Sequence, residues 1–143
     1  MVLPRLLYGF LSQSTDPINL VVPWRTSDQD GLFQMNYSLE RAVETNLRVW
    51  AKTNRGERPM RFEFGLDARR MLFEPEPLAK EFLLNRARQQ LTRYFGFLQI
   101  QELDVITSSE SEELEQNSIR IVIRAQFKDS EDKRIFVSET IGV

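Results

Sequence analysis

Leu39, Ala42, Val43, Leu47, Trp50 and Ala51 recur at intervals of three and four, the spacing that lines one face of an α-helix. Ser38 stands where a capping hydroxyl belongs, so the pattern predicts a helix over residues 38–53. Gly56 and Pro59 end it, one by freeing a left-handed backbone position and the other by its inability to continue a helix. Asp67 reads as the cap of a short helix reaching residue 73. The Glu-Pro pairs at 74–77 break that helix and preset the first turn of the next, where the missing N–H of Pro77 costs nothing. A second long helix follows over 78–95, with Ala79, Phe82, Leu83, Ala87, Leu91, Tyr94 and Phe95 as its buried stripe.

After Gly96 the period drops to two. Leu98 and Ile100 share one face, and Leu103 and Val105 follow offset by one residue, as a β-bulge produces. Residues 118–128 alternate strictly, Ile119, Ile121, Ile123, Ala125 and Phe127 inward, and Ile135, Val137 and Ile141 repeat the pattern beyond a turn at 129–132. Residues 107–117 are acidic and carry no core pattern, which predicts a mobile hairpin loop.

The first thirty residues lose periodicity to Pro4, Pro17, Pro23 and a polar stretch at 12–16, and read as an irregular arm. Its apolar cluster, Leu20 to Trp24, makes Trp24 a packing anchor, and the arm is a candidate for ordering on binding. Asp30-Gly31 forms a turn before a short extended run ending at Met35. The fold class is therefore α+β: two main helices packed on a three-stranded antiparallel C-terminal sheet, with an arm at 1–30 and a domain at 31–143.

Composition narrows the chemistry. The 143 residues contain neither cysteine nor histidine, which removes thiolate nucleophiles, zinc sites built on those ligands and Ser-His-Asp triads. No metal or cofactor is expected. The apolar run at 6–11 is too short for a signal-peptide core or a membrane helix, so the chain reads as untargeted and soluble. A net charge of −2 argues against a dedicated nucleic-acid binder. That total hides an asymmetry: residues 41–93 hold twelve Lys/Arg against seven Asp/Glu, and residues 99–143 hold five against ten.

Glu57, Glu63, Asp67, Glu74 and Glu76 are close enough in sequence to supply the paired carboxylates of a glycosidase. They alternate with Arg55, Arg58, Arg61, Arg69 and Arg70, however, and a neighbouring guanidinium lowers a carboxyl pKa, the wrong direction for a general acid. An ion-pair network bracing the helix connection, or a protein-docking surface, accounts for the same residues. The terminal strand exposes unpaired backbone groups along its edge and invites a strand from another chain, with Lys133, Arg134 and Glu139 either guarding or serving that edge.

The run Gly56-Glu57-Arg58-Pro59-Met60-Arg61-Phe62-Glu63-Phe64-Gly65, followed by Leu72-Phe73-Glu74-Pro75, resembles the small baseplate wedge subunits of contractile phage tails. These form the GPW, or gene-twenty-five-like, family, whose type VI secretion counterpart is the TssE sheath initiator. The order and spacing of the motif match, and the similarity covers roughly residues 30–143. Where the family carries Glu-Pro-Arg after the second helix this chain has Phe95-Gly96-Phe97, so a contact made by that motif does not transfer. The resemblance implies a non-enzymatic structural subunit of the virion's tail baseplate, assembled in the host cytoplasm. Its partners would be other wedge subunits and the tail sheath protein, in a hetero-oligomer without nucleic acid or membrane. The sheet would template the first sheath ring by strand exchange through Arg134, Ile135, Val137, Glu139 and Ile141, and Glu57, Arg58 and Arg61 would face the wedge or brace the turn. A lysozyme-like peptidoglycan hydrolase and a free adaptor resembling a bacterial stress anti-adaptor are the alternatives.

Overall fold

Ser38 Oγ accepts the Arg41 N–H at 3.4 Å and starts α1 (Leu39–Lys52) in the computed structural model, which describes residues 17–142. The expectations for residues 6–11 and 12–16 lie outside that range. Two further helices follow, α2 (Ala68–Met71) and α3 (Glu76–Tyr94), then strands β3 (Leu98–Thr107), β4 (Ile119–Phe127) and β5 (Ser130–Ile141). Two short strands precede α1, β1 (Asn19–Leu20) and β2 (Met35–Asn36). The chain divides into two compact units, residues 1–46 and 47–143, with the division falling inside α1.

In the first unit residues 17–30 of the arm are more ordered than their composition predicts. β1 pairs antiparallel with β2. Asn36 is buried and donates to Asn19 Oδ1 at 2.9 Å and Thr45 Oγ1 at 3.1 Å, while Asn19 Nδ2 donates to the Ala42 carbonyl at 3.2 Å. Two asparagines thus tie the hairpin to the first half of α1. Side-chain amides suit this task because each offers donors and an acceptor to a neighbouring backbone. Trp24, expected to be a packing anchor, is 70% exposed and touches Phe33 with ring centroids 5.7 Å apart.

In the second unit the strands form a three-stranded antiparallel meander in the order β3-β4-β5. Its register sets rows across the inner face, such as Leu103–Ile123–Val137 and Ile100–Ala125–Ile135. The expected bulge falls between Ile100 and Glu102, where the register shifts by one residue. The β4–β5 turn is tighter than expected: Phe127 pairs with Ser130, and the register then jumps so that Gln126 faces Arg134. α3 starts behind Pro75 with Pro77 in its first turn, and Ala79, Leu83, Ala87 and Leu91 lie buried along it. Phe82 is 38% exposed and so leaves the predicted stripe, and Leu39 of α1 does likewise at 47%. Phe95 packs edge-on against Trp50 at 6.3 Å, and Phe97 stacks on Phe127 at 6.1 Å, so Phe95-Gly96-Phe97 closes the helix end with an aromatic cluster.

Candidate functional site

The turn between α1 and α2 is built around the end of α1, where the last carbonyls of a helix need donors. Leu66 N–H donates to the Trp50 carbonyl at 3.3 Å and Asp67 N–H to the Thr53 carbonyl at 3.2 Å. For the backbone to come this close residue 65 must lack a side chain: a Cβ on Gly65 would sit 2.4 Å from the Thr53 oxygen, and its φ is +111°. Asp67 is left-handed at φ 63° and makes no cap bond to α2; its carboxylate instead accepts the Arg55 N–H at 3.3 Å. The predicted cap is therefore a turn brace, its carboxylate bonded to Arg55 rather than to the first turn of α2.

α3 clamps the other side of the turn. Gln90, 4% exposed, donates from Nε2 to the Glu63 carbonyl at 2.8 Å and accepts the Gly65 N–H on Oε1 at 3.3 Å. Arg86 adds Nε to the Gly65 carbonyl at 3.1 Å and Nη2 to the Glu63 carbonyl at 3.3 Å. Nothing in the sequence pattern assigns either residue to this turn. The one signal for Gln90 was an amide sitting on the apolar stripe between Ala87 and Leu91.

The acidic residues of the motif are used locally. Glu57 accepts the Asn54 N–H at 2.8 Å and its side-chain amide at 2.7 Å, bonds that hold the carboxyl below its ordinary value. Glu63 pairs with Arg55. Arg58 lies over the Phe64 ring, 4.6 Å from its centroid. Arg61 is exposed and makes no ion pair among the described residues. The expected ion-pair network is thus reduced to a single pair at this turn, since backbone and amide donors reach the other carboxylates first.

Of the five β5 candidates, Ile135, Val137 and Ile141 are buried in the inner face, at 1%, 1% and 5% exposure. Glu139 also points inward, opposite Ile121, where Lys52 Nζ meets it at 2.9 Å and Arg48 Nε at 3.4 Å. Period two puts residue 139 on the same face as 137 and 141, so this acid anchors β5 to α1 rather than guarding the edge. Arg134, Phe136, Ser138 and Thr140 occupy the exposed face. The outer edge of β5 has no strand beside it among the described residues.

Glu74 and Glu76 line a cavity of about 160 Å³ with Thr107, Ser108 and Asn117. Glu76 accepts the hydroxyl of Ser109, the Ser108 hydroxyl at 3.1 Å and the Ser109 N–H at 3.3 Å. Glu110 accepts Lys80 Nζ at 2.7 Å. The 107–117 loop is accordingly fastened to α3, with Leu114 buried, where a mobile loop was expected. Both carboxyls are held below their ordinary value, Glu76 chiefly by Ser109 and Glu110 chiefly by Lys80. A carboxyl whose pKa is lower folded than unfolded stabilises the folded form above its unfolded value, and the contribution disappears as pH falls through the folded value. The loop should therefore stay docked near neutrality and loosen below the ordinary carboxyl value of 4.5. Amide-exchange protection factors at Ser109 and Leu114 should drop several-fold between about pH 6 and about pH 3.5, and Glu76→Gln should lower them at both. Equal protection at the two pH values would show that the acids do not hold the loop.

Residues 37–132 match the family model described as baseplate wedge protein gp25. No curated protein matches the chain. Among solved structures, a candidate tail lysozyme from Geobacter sulfurreducens aligns at TM-score 0.61 and 18% identity, covering 77% of this chain and 96% of that one, a likeness of fold alone. A chain of the anti-feeding prophage baseplate, seen by cryo-electron microscopy with 6-fold symmetry, aligns at TM-score 0.56 and 25% identity over 90% of this chain and 94% of its own.

Proposed function

The chain belongs to the baseplate wedge protein gp25 family, a family of tail-baseplate structural proteins, and from that membership we propose that it joins wedge subunits of a contractile tail to the sheath, with β5 seating the first sheath strands. The observation that carries this reading is that the outer edge of β5, a twelve-residue strand, has no strand beside it among the described residues. An incoming strand gains main-chain hydrogen bonds along such an edge, and selectivity comes from the side chains that alternate beside it. Ile135 and Val137 in the core, with Glu139 held by Arg48 and Lys52, keep the edge straight before a partner arrives, which lowers the ordering cost of pairing. The likeness to a chain of the anti-feeding prophage baseplate supports a place among other baseplate subunits. The turn at 54–66, with Glu57 as an internal brace and Arg58 and Arg61 on its surface, serves the wedge side.

A peptidoglycan hydrolase is the weaker reading. Glu57 and Glu76 are both held below the ordinary carboxyl value, Glu57 chiefly by the Asn54 N–H and Glu76 chiefly by the Ser109 hydroxyl, so each is ionised near neutrality and carries no proton for a leaving group.

The edge is tested without disturbing the core by the double substitution Phe136→Lys/Ser138→Lys, because both side chains lie on the exposed face. Lysines on an edge strand oppose pairing with a further strand. Baseplates and tubes should form normally in this variant while sheath fails to polymerise, leaving bare tubes by electron microscopy. Sheaths of normal length on a folded variant would overturn the reading.

A further inference from the structure

Met60 stands at the third position of a β-turn closed by the Arg61 N–H and the Arg58 carbonyl at 3.2 Å, with Pro59 at the second position. Its φ is +64°, a value at which glycine or asparagine is the low-energy choice. Its side chain is 95% exposed. Folding gains nothing from a long thioether in water at the end of a strained backbone, and Phe62, two residues on, is 64% exposed as well. The knob is nevertheless rigidly mounted, since Gln90 and Arg86 clamp residues 63–65 from α3.

Charge around the knob is unbalanced. The stretch 54–70 holds five arginines and three carboxylates. Glu57 is taken by Asn54, Glu63 by Arg55 and Asp67 by the Arg55 N–H. Arg58 and Arg61 flank Met60 with no ion pair among the described residues, and Arg69 is near enough to lower the Glu57 pKa, though that influence is the smallest of those acting on it.

We propose that Met60, rimmed by Arg58 and Arg61, is the anchor by which this chain docks into an acidic protein surface with an apolar socket on a neighbouring wedge subunit, an inference that rests on the baseplate reading above. An unbranched thioether fits sockets of irregular shape, and the surrounding guanidiniums supply steering and carboxylate forks. Anchors of this kind concentrate binding energy in one or two side chains whose order is established before contact. A protein surface accounts for the centre of the patch better than a nucleic acid does, because the residues at its apex are apolar and Glu63 lies among the cations.

The test uses purified baseplate particles that lack this chain, titrated with fluorescently labelled full chain. Met60→Gly should weaken binding about tenfold or more while the melting temperature stays within about 3 °C, since glycine relieves the positive φ. Arg61→Glu should weaken binding by a similar factor and flatten its salt dependence, and Met60→Leu should keep binding within about threefold. Unchanged affinity for both Met60→Gly and Arg61→Glu would overturn the proposal. So would tight binding of a DNA duplex that competes with the particles, which would assign the cations to nucleic acid. If the unsubstituted chain itself fails to join the particles, the baseplate reading falls and this inference with it. Particles that accept wild type and both variants equally remove only the inference.

Discussion

Gly65→Ala is expected to cost about 4 kcal/mol of folding stability, the largest effect of a methyl added to any of the described glycines. Two penalties coincide there. The backbone sits at φ +111°, where an L side chain is strained, and the new Cβ would lie 2.4 Å from the Thr53 oxygen and 2.9 Å from its carbonyl carbon. Both contacts are to backbone, so no side-chain rotation relieves them. Nor can the turn back away freely, because the Leu66 and Asp67 N–H groups satisfy the Trp50 and Thr53 carbonyls at the end of α1. Gly56 provides the control: its φ is +88° but nothing lies within 4 Å of its Cβ position, so Gly56→Ala should cost only about 1 kcal/mol. Urea unfolding of the two variants, compared at constant slope, separates strain from collision. Similar midpoints for the two would show that the close approach to Thr53 is not what fixes glycine at 65.

Gln90→Leu is expected to cost about 2 kcal/mol although it keeps side-chain volume and adds apolar surface. The amide is buried and uses its donor and acceptor on one peptide stretch, Glu63 carbonyl and Gly65 N–H. Leucine would leave the Gly65 N–H without its partner, whereas the Glu63 carbonyl keeps Arg86 at 3.3 Å. Gln90→Glu discriminates further. Ionised, it would still accept from Gly65 but would face the Glu63 carbonyl without a donor; protonated, it recovers one. Burial, opposed by the Arg86 guanidinium on the same Glu63 carbonyl, is expected to raise the pKa of this carboxyl on folding, so the variant should be less stable than wild type near pH 7 and regain stability as pH falls through that raised value. Thermal melts at about pH 7 and about pH 5 give the comparison. A Gln90→Leu variant as stable as wild type would mean that the clamp is incidental packing.

Much of the fold was legible because it is written in local repeats. The stripe on α1 apart from Leu39, the strict alternation of β4 and the offset between Ile100 and Leu103 each report how one segment meets a core, and each appears where the pattern put it. The motif from Gly56 to Gly65 likewise pointed to the correct family from residue order alone. What periodicity does not carry is the identity of the partner across the chain. Glu139 looked like an edge charge until Arg48 and Lys52 were seen against it, and Asp67 looked like a helix cap until its backbone proved left-handed. The 107–117 loop has no apolar pattern, yet it is fastened by Lys80 and by Glu76 of α3, through polar bonds between residues some thirty positions apart.

The sequence by itself therefore determined the helices and the three strands of the C-terminal sheet, their order and the family, since these depend on the spacing of apolar side chains and on turn residues within a few positions of each other, whereas the β1–β2 pair carries no such spacing. Only the tertiary structure decided which acids are braces, which arginines are left over and that Glu139, on the sealed face of β5, is held by Arg48 and Lys52. Those outcomes depend on donors and acceptors brought together by the packing of α1, α3 and the sheet, and a buried amide or carboxylate is satisfied by whichever group that packing sets within about 3 Å.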